Sequence, residues 1–92
     1  MKQVRVTISG AVQGVFFRAF AQEEAEKLRI TGWARNEPSG DVTVVAQGGE
    51  AFLKKYIKKL EQGPPLSRVD FVAVTWETPT TETFDHFEVV RE

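Results

Sequence analysis

Val4, Val6 and Ile8 alternate with Arg5, Thr7 and Ser9, a period of two that predicts a strand with one buried face. Gly10 and Gly14 then bracket the stretch Gly10-Ala11-Val12-Gln13-Gly14-Val15-Phe16-Phe17, which suits neither a strand core nor a helix. Over residues 18–29 the apolar spacing becomes helical, with Ala21, Ala25 and Leu28 on one stripe. Glu23 and Lys27 form a favourable i,i+4 pair on its exposed side. Gly32 is the expected end of this helical region, and residues 33–36 read as a second strand. Glu37-Pro38-Ser39-Gly40-Asp41 has turn chemistry, so a third strand over residues 42–47 makes a hairpin with the second. Past Gly48-Gly49, residues 50–61 form a second amphipathic helix. Its apolar stripe is Phe52, Leu53, Tyr56, Ile57 and Leu60, and Lys54, Lys55, Lys58 and Lys59 face water. Gly63-Pro64-Pro65 stops that helix. Residues 69–76 read as a fourth strand, 78–85 as polar and turn-like, and 87–90 as a short last strand.

The order β-α-β-β-α-β predicts an α+β, ferredoxin-like split βαβ sandwich. Two helices would pack on one face of an antiparallel sheet of four to five strands. The first two strands would run parallel, with another strand between them and a right-handed helical crossover joining them. A helix of roughly 12 residues returns the chain by about 18 Å at about 1.5 Å per residue. A strand of five or six residues then climbs back about as far, at about 3.3 Å per residue. The end of the second strand, at Asn36, should therefore arrive beside the loop after the first, making Asn36 and Arg18 neighbours.

Composition narrows the chemistry. The chain has 92 residues, enough for one domain over 1–92, without internal repeat or linker. There is no cysteine, which removes disulfides, thiolate nucleophiles and Cys-based zinc sites, and the single histidine, His86, cannot form a catalytic or metal-binding pair. Twelve basic residues against 13 acidic ones lack the electrostatic footprint of a dedicated nucleic-acid binder. No apolar run is long enough for a membrane span and the N-terminus has no signal-peptide core, so a cytoplasmic domain that binds no membrane is expected. The charge is unevenly distributed. Residues 1–22 hold Lys2, Arg5 and Arg18 and no acid, whereas the rest hold nine bases and 13 acids.

That asymmetry falls on the glycine-bracketed loop. The loop feeds a helix N-terminus, where free N–H groups and the helix dipole favour an anion. Arg18 sits in the first turn, where a cation is electrostatically unfavourable. Either the glycines make a tight connection and Arg18 pairs with a distant acid, or a phosphate from outside resolves the conflict, since it fits a guanidinium fork. Asn36 has two readings as well. It is ordinary turn chemistry at a strand end, or an amide that orients a water beside Arg18. His86 reads as surface or sheet-edge structure, the lysines of the second helix as a solvated face, and Trp33 and Trp76 as sheet packing. Phe16, Phe17 and Phe20 read as core, with Phe16 able to border a pocket.

Gly10-x-Val12-Gln13-Gly14-Val15-x-Phe17-Arg18 resembles the first signature of the acylphosphatases. Gly32-Trp33-Ala34-Arg35-Asn36, followed by Gly40, Val42 and Gly48, resembles the second. Two separate motifs at the right distance, over essentially the whole chain, make the resemblance specific. Ser39 and Thr43 stand where such proteins often have acidic residues, and neither position is catalytic in that family. The resemblance implies a metal-independent, cofactor-free hydrolysis of the carboxyl-phosphate bond of acyl phosphates to a carboxylate and inorganic phosphate. It implies a phosphate-binding loop of Val12, Gln13, Gly14, Val15, Phe16, Phe17 and Arg18, with Arg18 holding the phosphate and Asn36 positioning the attacking water. The expected partners are a small acyl phosphate and inorganic phosphate as product and inhibitor, with the chain a monomer. Two rivals stand beside this. One is a non-enzymatic ferredoxin-like module, regulatory or RNA-binding, although residues 42–47 lack the aromatics and basic segment of an RNA-reading strand. The other is the acylphosphatase-like domain at the front of larger carbamoyl-transfer maturation proteins, which a free-standing chain ending at Glu92 disfavours.

Overall fold

The computed structural model describes residues 1–79 and 82–91. The elements are β1 (Lys2–Ala11), α1 (Phe17–Lys27), β2 (Thr31–Asn36), β3 (Val42–Gly48), α2 (Glu50–Gln62), β4 (Arg68–Glu77) and β5 (Phe87–Val90). The strands form one sheet in the order β4-β1-β3-β2-β5. β3 lies antiparallel between β1 and β2, which therefore run in the same direction, as the βαβ pattern requires. The expectation of a wholly antiparallel sheet is corrected at one edge, where β5 pairs with β2 in parallel. β4 and β5 occupy opposite edges, and a chain that turns back at one end of the sheet must leave β5 aligned with β1 and β2.

One face of the sheet carries both helices. Val4, Val6 and Ile8 of β1 and Val42, Val44 and Ala46 of β3 are fully buried there, as alternation predicts. α1 covers β2 and β5, whereas α2 packs on β1, β3 and β4. The helices meet at Tyr56, whose hydroxyl donates to the Ala21 carbonyl at 2.8 Å and whose ring meets Phe87 edge-on at 6.2 Å. The opposite face is polar. Arg35 stacks over Trp33 at 4.9 Å, and Gln3 and Arg5 both donate to Glu77.

Three local expectations change. β1 continues through Gly10 and Ala11, because a bulge between Ser9 and Gly10 restores the pairing with Val69 and Arg68 of β4. Phe52 leaves the apolar stripe of α2: it is half exposed on the helix flank, with the Lys55 ammonium 5.8 Å from its ring. Finally, Gly32 does not end α1. Arg29 does, at φ 57°, with its N–H on the Glu26 carbonyl and the Ile30 N–H on the Ala25 carbonyl at 2.8 Å. That is a Schellman closure with arginine where glycine is usual. Gly32 instead lies within β2 at φ 147°, and a Cβ there would collide with the Val45 carbonyl.

Arg29→Gly should therefore stabilise the protein by about 0.5–1 kcal/mol, since Arg29 is exposed and glycine carries no steric cost at positive φ. Thermal unfolding should show a rise of about 2–6 °C, and a fall in Tm would mean that the Arg29 side chain contributes more than its conformation costs.

Candidate functional site

β1, β2 and β5 point the same way, so the segments leaving their C-terminal ends meet at one end of the sheet. The loop of residues 12–16 leaves β1 there and enters α1, Asn36 closes β2, and Val90 closes β5. Between them lies a cavity of about 380 Å³ lined by Val12, Gly14, Phe16, Phe17, Arg18, Ala19, Gln22, Asn36, Val89 and Arg91. The expected neighbours, Arg18 and Asn36, share this cavity.

The loop is shaped by its buried ends. Val12 and Phe17 are buried in the core, while Gly14 at φ 75° and Phe16 at φ 63° turn the backbone between them. Gly14 meets no obstacle, but Phe16 holds an aromatic side chain in the left-handed region. Phe16 is the N-cap of α1 and offers no side-chain bond to the helix, and the first turn carries no acid. α2 differs: Glu50 stands in its first turn. The positive end of the α1 dipole is therefore uncompensated by its own residues.

Arg18 adds a charge at the same place. Its Nη1 donates to the Val90 carbonyl at 2.6 Å. A neutral carbonyl orients the guanidinium without cancelling its charge. One turn further on, Gln22 Nε2 donates to the Phe87 carbonyl at 3.0 Å, so α1 grips β5 at two points. The arrangement can bind a small, strongly charged anion through backbone N–H groups and a fixed guanidinium fork, with an amide at its side.

Not every residue of the sequence-predicted loop reaches the cavity. Gly14, Phe16, Phe17, Arg18 and Val12 line it, Val15 packs against the core, and the Gln13 side chain points toward the β2–β3 turn. Phe16 is 77% exposed and is not core, unlike Phe17. Sequence reasoning missed Gln22, Val89 and Arg91. Gln22 lies four residues after Arg18 on the same helical face, a signal that was available. Val89 and Arg91 depend on β5 pairing with β2, which local pattern does not reveal. His86 is exposed at the start of β5, its carbonyl accepting from the Gly32 N–H, in keeping with an edge position.

A second concavity of about 460 Å³ is bordered by Trp33, Arg35, Glu82, Asp85 and Glu88. Its three carboxylates disfavour an anion, whereas the lining of the cavity at Arg18 includes Arg18 and Arg91 and no carboxylate. No group of three or more His, Cys, Asp or Glu side chains able to hold a metal occurs among the described residues. No helix among them is long and apolar enough to cross a membrane.

This geometry defines a ferredoxin-like α+β protein in which Arg18, Asn36 and the start of α1 border one cavity at the carboxyl ends of the parallel strands. The chain belongs to the acylphosphatase family, whose model matches residues 4–89. It is 43% identical over 89 residues to the acylphosphatase of Bacillus licheniformis, covering 97% of this chain and 98% of that one. The crystal structure of acylphosphatase from Bacillus subtilis aligns with a TM-score of 0.94 at 36% identity, over 99% of this chain and 100% of that chain. Full-length HypF, in its phosphate- and nucleotide-bound form, aligns with a TM-score of 0.88 at 27% identity, over 98% of this chain but 12% of that one. Hydrolysis of acyl phosphates is what the family does, and the chain is an enzyme of this kind.

Next to Asn36, the Glu37 carboxylate accepts from the Thr43 hydroxyl and from Arg35 at 3.0 and 3.1 Å, and these bonds hold its pKa below the usual carboxylate value. A depressed folded-state pKa stabilises the fold above the unfolded value, about 4.3, and that stabilisation is lost as pH falls through the folded value. Glu37→Gln should thus lose less stability than the parent chain between pH about 6 and about 3, read from urea midpoints. Parallel acid limbs would show that Glu37 gains nothing from its partners.

Proposed function

We propose that Arg18, together with the backbone N–H groups of residues 12–18, binds the phosphoryl group of an acyl phosphate, and that Asn36 orients the water that attacks phosphorus. The observation that carries this reading is the shared cavity of Arg18 and Asn36 at the uncapped start of α1. Water adds to phosphorus as the bond to the acyl oxygen breaks, releasing a carboxylate and inorganic phosphate. The leaving carboxylate has a pKa of about 4 and needs no general acid. Phosphoryl transfer through a loose transition state needs positioning and charge stabilisation above all. A guanidinium, a ring of N–H donors and one amide meet that need, whereas an alkyl phosphate would require an acid for its alkoxide.

The reading extends to a single domain over residues 1–92, a monomer in the cytoplasm, inhibited by its own product. The cavity is complete within one chain, which supports the monomer, and product and substrate share the same phosphoryl contacts. The cysteine-free composition accords with the cytoplasm.

The test is hydrolysis of a synthetic acyl phosphate beside an alkyl phosphate ester, with EDTA present. Acyl phosphate alone should be cleaved, and activity that requires an added divalent ion would overturn the metal-independent reading. Arg18→Ala should lower kcat/KM by about 10³-fold or more and weaken inhibition by inorganic phosphate together with it. Asn36→Ala should lower kcat by about 10²–10³-fold while sparing phosphate binding, because a neutral amide supplies orientation rather than charge. A folded Asn36→Ala with near-normal turnover would return Asn36 to turn chemistry.

A further inference from the structure

Gln13 belongs to the loop by sequence, yet its side chain leaves the cavity. Both protons of its amide are used on a neighbouring segment: Nε2 donates to the Glu37 carbonyl at 2.8 Å and to the Asp41 carbonyl at 2.9 Å. Those carbonyls belong to the turn between β2 and β3. The turn is closed on itself by the Glu37 N–H on the Asp41 carbonyl at 2.8 Å and the Gly40 N–H on the Glu37 carbonyl at 3.0 Å. It therefore presents two acceptors side by side, and one amide group fits between them. The contact is with backbone only, so it reads the shape of the turn and is indifferent to the side chains at 37 and 41.

The placement matters because Asn36 immediately precedes this turn and Gly14 immediately follows Gln13. In the mechanism proposed above, on which this inference rests, phosphate is held by the loop after β1 and water by the end of β2. β3 separates those strands in the sheet, so the ladder does not join them directly. An in-line attack needs the reacting atoms about 3–3.5 Å apart, and a misplacement of about 1 Å can cost about 10²-fold. We propose that Gln13 is a positioning residue: its amide ties the phosphate loop to the β2–β3 turn and so sets the distance between the bound phosphoryl group and the water held by Asn36.

A purely structural staple would change stability and leave the chemistry of Asn36 untouched. The discriminating variants are Gln13→Met, of similar volume but without donors, and Gln13→Glu, which sets a carboxylate against two carbonyl oxygens. Gln13→Met should lower kcat by about 10–100-fold while the inhibition constant of inorganic phosphate moves by less than about threefold. Made in the Asn36→Ala background, the same substitution should cost less than about threefold, because there is no longer a positioned water to misplace. Gln13→Glu should regain kcat relative to the parent chain as pH falls, since the protonated acid can again donate to one carbonyl. This variant carries the test if Gln13→Met fails to fold. Equal losses in the two backgrounds, or a phosphate constant that worsens in step with kcat, would overturn the positioning role while leaving Arg18 and Asn36 as assigned. Full activity in Asn36→Ala itself would overturn the reading on which this inference rests.

Discussion

A residue at the end of one strand can meet the loop after another only if both strands run the same way, and here the α1 crossover enforces that. α1 spans 11 residues, a return of about 16 Å, and the six residues of β2 recover about 20 Å. The strand recovers the whole of the helical return, so Asn36 reaches the loop that leaves β1. β5 then adopts the same direction at the far edge and adds Val90, whose carbonyl holds Arg18. Reversing or shortening any of these three strands would separate the guanidinium, the amide and the helix start.

The electrostatics of that end follow from what is absent as much as from what is there. α1 starts without a side-chain cap and without an acid in its first turn, and a cation occupies the turn instead. A missing cap costs about 0.5–2 kcal/mol of helix stability, and an unfavourable charge in the first turn about 0.3–1 kcal/mol. Together they concentrate positive potential in a cavity whose lining adds Arg91 and the amides of Gln22 and Asn36 and no carboxylate. In the proposed mechanism the phosphoryl group is the missing cap. The concavity at Trp33, with its carboxylates, shows what the same fold offers where no such end is exposed.

The convergence of Arg18 and Asn36 was legible because it depends on element lengths, which hydrophobic periodicity reports, and on the right-handed crossover, which holds for βαβ units in general. The end of α1 was not. Gly32 is the obvious stop signal, but Arg29 takes the left-handed position three residues earlier, and Gly32 serves a close approach to the Val45 carbonyl. Propensity cannot separate those two uses of glycine, since both need a missing Cβ. The partners of Arg18 and Gln22 were also hidden. Both are backbone carbonyls of β5, and no side-chain pattern announces a carbonyl. The same holds for Gln13, which the family resemblance placed in the phosphate-binding loop and whose amide donates to two turn carbonyls.

Phe16 shows how the loop reconciles folding with its open end. A non-glycine residue in the left-handed region carries a cost of about 1–2 kcal/mol, and a ring 77% exposed recovers little of it by burial. The flanking residues hold it there. Phe17 is buried against Phe20 and the core, Val12 is buried at the other end, and the Phe16 carbonyl accepts the Phe20 N–H at 3.0 Å. With both ends anchored, the chain between them must turn tightly, and the turn leaves Gly14 and Phe16 on the cavity wall. The apolar core thus sustains a loop conformation that its own residues would not choose, and that conformation is the one that opens the start of α1 to the cavity.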